Sequence, residues 1–262
     1  MSLVEVRRQG AASVIAYGAP PFGTLTAEGV RQMHAAVQAA ASDSDVRALI
    51  ITGSLPGIFI RHYDVTELSD MAEALATPDR TSGGGAEGPG YADLVDAIAA
   101  APKPVIAAIN GLCMGGGFEL SLYCDLRIAA HGIEAIGLPE TRIGIYPGGG
   151  GTQRLPRIIG EGRALEMILR GLTVESQKAL DMGLVHELSA DPVARALELA
   201  QEFAGRAPEA LAEAKRLTRA ALDRPLSEGL RDERRTFVEV MKTASGRAGL
   251  RAGRTPAQIQ KL

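Results

Sequence analysis

The order of apolar and polar positions predicts alternating strands and helices over the first two thirds of the chain. A mostly apolar run at 46–52 and a continuous apolar run at 105–109 predict buried strands, and Thr26 is a good capping residue for the amphipathic helix that follows it. From about residue 190 the pattern is helical throughout. This order predicts an α/β core at 1–190, which would contain the active site, and a helical region at 191–262.

Several shorter segments are predicted with less regular patterns. The segment 54–63 is predicted to be a loop before a helix that starts near Asp64. Segments 133–136 and 174–182 are predicted as a strand and a helix. The segment 77–90 is rich in glycine and proline and low in hydrophobicity, which predicts a mobile surface loop.

Composition indicates an ordinary globular protein. Of 262 residues, 46% are hydrophobic and 23% are charged, and no apolar run approaches the length of about 20 residues that a membrane helix needs. The net charge of −3 gives no indication of nucleic-acid binding, although 206–262 carries 13 basic against 7 acidic residues. That basic segment is predicted to be a solvated helix surface or, alternatively, a site for the phosphates of a ligand.

The cysteines and histidines indicate neither a disulfide framework nor a metal site. Cys113 and Cys124 lie in apolar surroundings, which favours buried, reduced thiols and a cytoplasmic location. The four histidines show no metal-ligand spacing. Motifs for a nucleophilic serine elbow, a Walker phosphate loop and a dinucleotide fingerprint are also missing from the sequence.

A glycine-rich turn after the strand at 105–109 carries the strongest chemical indication. Gly115, Gly116 and Gly117 precede a short helical pattern, so backbone N–H groups are expected to point outward at a helix N-terminus, where they stabilise negative charge. Glu119 is predicted to lie in the first turn of the same helix. Amides that stabilise an anion, placed beside a carboxylate, are suited to carbonyl chemistry.

A second carboxylate and a second amide are needed to complete such a site. Glu140 follows Pro139 in a predicted loop, and two carboxylates can divide acid and base duties when their surroundings differ. The loop after 46–52 is the candidate source of the second amide. Spacing alone leaves the alternatives open: Glu119 as an ordinary helix N-terminal charge, and Glu140 as a surface carboxylate.

Three segments together resemble the signature of the crotonase superfamily, the enoyl-CoA hydratase/isomerase family. They are 102–125 (PKPVIAAINGLCMGGGFELSLYCD), 138–140 (LPE) and 143–155 (IGIYPGGGGTQRL). The resemblance implies a spiral of ββα units with a C-terminal helical trimerisation region. It also implies a homotrimer, or a hexamer made of two trimers.

The resemblance further implies an acyl-CoA thioester as the substrate and assigns site residues by their match to the family motifs. Backbone amides of Gly116 and Tyr63 would form the oxyanion hole. Glu119 and Glu140 would be catalytic, and the amide of Gly148 would help to hold the water. No cofactor is expected, because coenzyme A is part of the substrate.

The chain departs from the family pattern at 61–64, which reads RHYD where small residues usually precede the Asp. The side chains there either pack outside the pocket, or alter acyl selectivity, or supply a proton donor. The turn at 20–26 stands where relatives have a turn near the nucleotide part of coenzyme A, but its sequence departs from the family pattern. The C-terminus lacks the aromatic residue and lysine of the family's usual ending, and the C-terminal arginines would replace their contacts with the phosphates of coenzyme A. Solvated surface is the alternative for each arginine. The resulting candidates for substrate binding are Thr24, His62, Asp64, Arg247 and Arg251, with Arg254 as a further cation.

The predicted function is hydration of the C2–C3 double bond of a 2-enoyl-CoA. The retention of both glutamates favours hydration over the other reactions of the family. An isomerase, hydrolase, lyase or decarboxylase acting on an acyl-CoA is the alternative, since the unusual loop at 58–65 points away from a standard hydratase. A non-catalytic acyl-CoA-binding protein is the other alternative.

Overall fold

The structure, a computed structural model, describes residues 2–76 and 88–253. Its strands, in chain order, are β1 (Val4–Gln9), β2 (Ala12–Tyr17), β3 (Ala48–Gly53), β4 (Ile58–Ile60), β5 (Val105–Ile109), β6 (Leu112–Met114), β7 (Leu126–Ala130), β8 (Ile136–Gly137), β9 (Thr173–Val174) and β10 (Glu187–Ser189). Its α-helices are α1 (Ala27–Ser42), α2 (Val65–Ala76), α3 (Tyr91–Ala100), α4 (Gly115–Tyr123), α5 (Gly151–Ile159), α6 (Glu161–Leu169), α7 (Ser176–Asp181), α8 (Pro192–Ala204), α9 (Pro208–Ala220), α10 (Leu226–Lys242) and α11 (Ala244–Ala252). A 3₁₀ helix spans Glu140–Ile143.

The strands form two sheets. The larger sheet has the order β1-β2-β3-β5-β7-β10, in which β1 is antiparallel to β2 and all other neighbours are parallel. The smaller sheet has the order β4-β6-β8-β9, and β4, β6 and β8 are parallel to one another. Every residue of β2, β3 and β5 is buried, as expected for parallel strands covered on both faces.

The chain repeats a ββα order. A strand of the larger sheet is followed by a short strand of the smaller sheet and then by a helix, as in β3-β4-α2 and β5-β6-α4, and again in β7-β8 before the 3₁₀ helix and α5. The fold class predicted from the sequence is therefore confirmed: a mixed α/β protein with a C-terminal helical region. The boundary near residue 190 stays a prediction, since α8 packs on the larger sheet.

The apolar core lies on both faces of the larger sheet. On one face, a cluster that includes Ile51, Met33 and Phe118 joins the sheet to α1, α3 and α4. On the other face, Ala196 and Ala200 of α8 pack against residues of β2, β3, β5 and β7. The small alanine side chains allow α8 to approach the sheet closely.

Three of the segment predictions were wrong in detail. The predicted loop at 54–63 contains β4, and only Ile136 of the predicted strand 133–136 is in a strand. The predicted helix at 174–182 begins at Ser176, because Val174 pairs with Ile136 in the smaller sheet. Most of the predicted mobile loop at 77–90 lies outside the described residues. In the part of the chain that the structure describes, no helix has the length and apolar character needed to cross a bilayer.

Candidate active site

The ends of three parallel strands bring the candidate site together. The strands β4, β6 and β8 are neighbours in the smaller sheet, so their C-terminal ends meet at one edge. Tyr63 follows β4, Gly116 follows β6 and Glu140 follows β8. The smaller sheet therefore explains how residues that are distant in sequence converge.

The amides of Tyr63 and Gly116 lie next to each other and are free to donate. In the bridge between Leu25 and Tyr63, the N–H groups of Leu25 and Asp64 donate to the carbonyls of His62 and Leu25, so the N–H of Tyr63 is directed away from Leu25. Gly116 is the second residue of α4, where helix geometry leaves the N–H without an intrahelical acceptor. Neither N–H donates to another group within 2–76 and 88–253.

The backbone at the start of α4 lies close to the end of β4, and glycine is required at position 117. A Cβ atom at Gly116 would lie 3.3 Å from the Cβ of Tyr63 and 3.4 Å from its amide nitrogen. At Gly117 it would lie 2.1 Å from the carbonyl oxygen of Ile60, which no side chain can tolerate. The three-glycine run therefore lets the start of α4 pack directly on the end of β4.

Glu119 is buried and held by the backbone of the glycine turn before α5. It is the fifth residue of α4, so it lies in the second turn and not in the first. Its side chain is 4% exposed, and its Oε1 accepts hydrogen bonds of 2.8 Å from the amides of Gly149 and Gly151. Burial raises the pKa of this carboxyl, while the two N–H donors act in the opposite direction.

Glu140 has different surroundings. Both of its carboxylate oxygens are shielded from solvent, and neither has a hydrogen-bond partner among the described residues. Burial, with a smaller contribution from the nearby charge of Glu119, raises the pKa of Glu140 to about 7. A Cβ atom on Gly115 would lie 3.3 Å from Oε1 of Glu140, which places this carboxyl against the start of α4. A buried, unpaired carboxyl is unusual in a folded protein and is typical of a functional position.

The side chains of His62 and Tyr63 have partners within the protein. The Nδ1 atom of His62 lies 2.7 Å from the carbonyl oxygen of Tyr63. The Tyr63 ring packs edge-on against Tyr91, with ring centroids 6.3 Å apart, and the Glu67 carboxylate lies near the Tyr63 side chain. Burial, together with the charge of Glu67, raises the pKa of Tyr63 to about 12.

Thr24 and Asp64 join the turn at 20–26 to the start of α2. The Thr24 hydroxyl donates to Oδ2 of Asp64 at 2.9 Å, and Oδ1 of Asp64 accepts from the amides of Thr66 and Glu67. Asp64 therefore caps α2. Both residues support the loop that carries Tyr63, and their predicted contact with substrate stays a prediction.

The remaining sequence candidates are exposed. Gly148 is exposed in the turn before α5, and it is the amides of Gly149 and Gly151 that reach Glu119. Arg247 and Arg251 are exposed on α11, which packs on α9 and α10. Arg254 lies outside the described residues.

Tyr91 is a further residue of the site that the sequence analysis did not identify. It is the first residue of α3, and its hydroxyl donates to the carbonyl oxygen of Gly116 at 2.6 Å. Burial raises the pKa of Tyr91 well above its usual value, and the charges of Glu119 and Glu140 add to this effect. The only signal in the sequence was an aromatic residue at the start of an otherwise aliphatic helix.

The arrangement can bind a polarised carbonyl oxygen at two backbone amides and place two carboxyl groups beside it. Within the described ranges, no cluster of three or more His, Cys, Asp or Glu side chains could hold a metal ion. Two backbone amides beside two carboxyl groups support proton transfer next to a stabilised oxyanion.

Comparisons with known proteins identify relatives over nearly the whole chain. The family model described as enoyl-CoA hydratase/isomerase matches residues 7–257. The putative enoyl-CoA hydratase/isomerase YngF of Bacillus subtilis is 36% identical over 259 residues, which cover 96% of this chain and 90% of that protein. The mitochondrial methylglutaconyl-CoA hydratase of Mus musculus is 36% identical over 229 residues, which cover 85% of this chain and 70% of that protein.

Solved structures of enoyl-CoA hydratases superpose on nearly the whole chain. The enoyl-CoA hydratase of Bacillus anthracis superposes with a TM-score of 0.84 at 30% identity, covering 96% of this chain and 95% of that one. The enoyl-CoA hydratase of Thermoplasma volcanium superposes with a TM-score of 0.85 at 29% identity, covering 97% of this chain and 98% of that one.

Proposed function

Because the chain belongs to the enoyl-CoA hydratase/isomerase family, we propose that it is a hydratase that adds water across the C2–C3 double bond of a 2-enoyl-CoA thioester. The observation that carries this proposal is the pairing of Glu119 with Glu140 at one site. The charges of Glu119 and Glu140 both raise the pKa of Tyr91, and the charge of Glu119 raises the pKa of Glu140. Hydration needs one group that accepts a proton from water and another that delivers a proton to carbon.

The surroundings of the two carboxyls support different duties. Glu119, which accepts two N–H hydrogen bonds, is suited to be the ionised base, whereas Glu140, with a pKa of about 7, is suited to be the acid. Water attacks C3 and gives its proton to Glu119, while C2 receives a proton from Glu140. The catalyst is restored when the proton returns from Glu119 to Glu140 through solvent.

The amides of Tyr63 and Gly116 would stabilise the negative charge that develops on the thioester oxygen. Loss of a single donor of this kind costs on the order of 10²–10³ in rate in other enzymes. Coenzyme A enters as part of the substrate, so the proposed step uses no separate cofactor.

The test is hydration of crotonyl-CoA, followed as the loss of the enoyl-thioester absorbance. We expect turnover by the wild-type protein, and a loss of roughly 10²–10⁴ in kcat for both Glu119→Gln and Glu140→Gln, because each removes one proton-transfer group. Binding of butyryl-CoA, which has no double bond to hydrate, should survive in Glu140→Gln.

Glu134→Gln is the matched control, since Glu134 is an exposed glutamate a few residues before Glu140. Its turnover should equal that of the wild type. The substrate panel includes a methylglutaconyl-CoA arm, since a relative is named as a methylglutaconyl-CoA hydratase. Double-bond migration without water addition would replace the hydratase proposal with an isomerase. Binding of acyl-CoA without turnover of any thioester would replace it with a binding protein.

A further inference from the structure

Tyr91 belongs to the site but has no place in the proposed chemistry, because its hydroxyl is already engaged. We propose that Tyr91 is a specificity-determining residue that ends the acyl pocket and restricts the protein to short acyl groups on coenzyme A. This inference rests on the proposed function only in placing the reacting carbons between Glu119 and Glu140.

The hydroxyl of Tyr91 fixes the position of its ring. It donates to the carbonyl oxygen of Gly116 at 2.6 Å, and Gly116 also supplies one of the two free amides. The ring is thereby tied to the part of α4 that would hold the thioester oxygen. An aromatic ring held at its hydroxyl end and carried by a helix at the other has little freedom to rotate away.

The ring fills the space between the two glycine turns. A Cβ atom on Gly149 would lie 2.5 Å from a ring carbon of Tyr91 and 2.7 Å from Oε2 of Glu119. A Cβ atom on Gly116 would lie 3.7 Å from the opposite edge of the same ring. The edge-on contact with Tyr63 closes a third side. Tyr91 therefore stands directly beside the Glu119 carboxyl, where the carbons beyond C3 would have to pass.

Space exists farther along the same helices. A cleft of about 720 Å³ is lined by Ala99 of α3, Tyr123 of α4 and Arg157 of α5, together with residues of α9. Tyr91 begins α3 beside the candidate site, and Ala99, near the other end of the same helix, lines the cleft. On α4, Glu119 lies in the candidate site, and Tyr123, one turn later, lines the cleft. Removal of the Tyr91 ring would open room beside the Glu119 carboxyl, between the two glycine turns.

The test compares acyl chains of four, eight and twelve carbons in two series. Saturated acyl-CoAs are used for calorimetric binding, and the matching trans-2-enoyl-CoAs for hydration. For the wild type we expect at least a tenfold loss in affinity and in kcat/KM from four to eight carbons. Tyr91→Ala should reverse this order, because each methylene that gains apolar burial adds up to about fourfold. Tyr91→Leu is the second variant, in case the alanine variant does not fold.

Three further variants separate the ring from its hydroxyl and from general loosening of α3. The quantity compared is the chain-length ratio, which is kcat/KM for the four-carbon substrate divided by kcat/KM for the eight-carbon substrate. Tyr91→Phe keeps the ring and should keep this ratio within about threefold of the wild type. Tyr123→Phe removes a hydroxyl one turn beyond Glu119, and Leu94→Ala removes a fully buried side chain from the same helix. Both should leave the ratio unchanged.

The inference is overturned if the wild type binds octanoyl-CoA as tightly as butyryl-CoA, or if Tyr91→Ala and Tyr91→Leu keep the wild-type chain-length order. Failure of the proposed function gives a different result. In that case no enoyl-CoA is hydrated, while the saturated series still reports the length of the pocket.

Discussion

Glu119 and Glu140 carry the same functional group in different surroundings, and this difference is the basis of the proposed acid and base assignments. Glu119 has two amide donors at 2.8 Å, which partly offset the cost of burying its charge. Glu140 has no such partner among the residues that the structure describes. Ionisation of Glu140 is therefore the more costly of the two in the folded protein.

This cost predicts that folding stability depends on pH. The pKa of Glu140 is about 7 in the folded protein against 4.5 for an unperturbed glutamate, so between these pH values the folded state binds more protons than the unfolded state. The free energy of unfolding should therefore fall as pH rises from about 4.5 to 7. Glu140→Gln removes this dependence and should stabilise the protein by about 1–2 kcal/mol at pH 8, after allowance for partial exposure.

Urea unfolding at pH 5 and pH 8 measures the effect. The gain in Glu140→Gln should be confined to pH 8, and the exposed Glu134→Gln should show no gain at either pH. Equal effects of Glu140→Gln at both values would show that the Glu140 carboxyl is ordinary in the folded state, and would remove the argument for its role as the acid.

At the residue scale, the sequence predicted that Gly116 and Glu119 lie close together on one helix, because both follow from the same glycine run. The predicted turn was wrong, since Glu119 is the fifth residue of α4 and lies in its second turn. The roles assigned to these residues stay predictions. Tyr91 could not be predicted in the same way. Its hydroxyl meets Gly116 only because α3 packs across the start of α4, and that contact has no local signature in the chain.

Among the elements, the short strands of the smaller sheet were the hardest to predict and are the ones that assemble the site. The strand β4 has three residues and β8 has two, which is too short for apolar periodicity to distinguish them from loops. The long buried strands β3 and β5 were predicted close to their observed bounds, because their consecutive buried positions, six in β3 and five in β5, are mostly apolar and give a clear signal. Convergence of Tyr63, Gly116 and Glu140 follows from tertiary pairing and therefore required the structure.

The helix α4 depends on a buried arginine at its C-terminal end. Arg127 is 4% exposed, and its guanidinium donates to the carbonyl of Leu184 at 2.7 Å and to the carbonyls of Ser121 and Cys124 at 3.3 Å. A cation at this end of a helix also compensates the negative end of the helix dipole. Arg127 therefore fixes the end of α4 opposite to Gly116.

Arg127→Met should destabilise the protein by about 2–4 kcal/mol, because three carbonyl groups lose a charged donor inside the core. The measurement is the midpoint of urea unfolding, with Arg7→Met as the control, since Arg7 is an exposed arginine whose ion pair with Glu5 contributes little. Equal midpoints for the two variants would mean that the end of α4 is held by packing alone.

At the scale of the whole molecule, one aspartate joins α9 to the core by two ion pairs. Asp125 forms ion pairs with Lys215 at 2.8 Å and with Arg219 at 2.6 Å, both on α9. The same carboxylate accepts a hydrogen bond from the backbone N–H of Val105 at the start of β5. Part of the positive charge of 206–262 that the sequence analysis noted is therefore used to attach α9, and the trimer or hexamer predicted for this region stays a prediction.

Asp125→Asn tests this attachment. It leaves Lys215 and Arg219 without their shared anion in a setting where the Lys215 side chain is only 10% exposed, so we expect a loss of about 2–4 kcal/mol in the free energy of unfolding. Hydrogen exchange should accelerate in α9 and remain slow in β5, because an amide oxygen in Asn can still accept from Val105. Asp223→Asn is the matched control: Asp223 is 60% exposed in its pair with Arg157, and its removal should cost less than about 1 kcal/mol. If hydrogen exchange in α9 were equally fast in the two variants, apolar contacts would hold this helix to the core. The ion pairs of Asp125 would then be a consequence of that packing and not its cause.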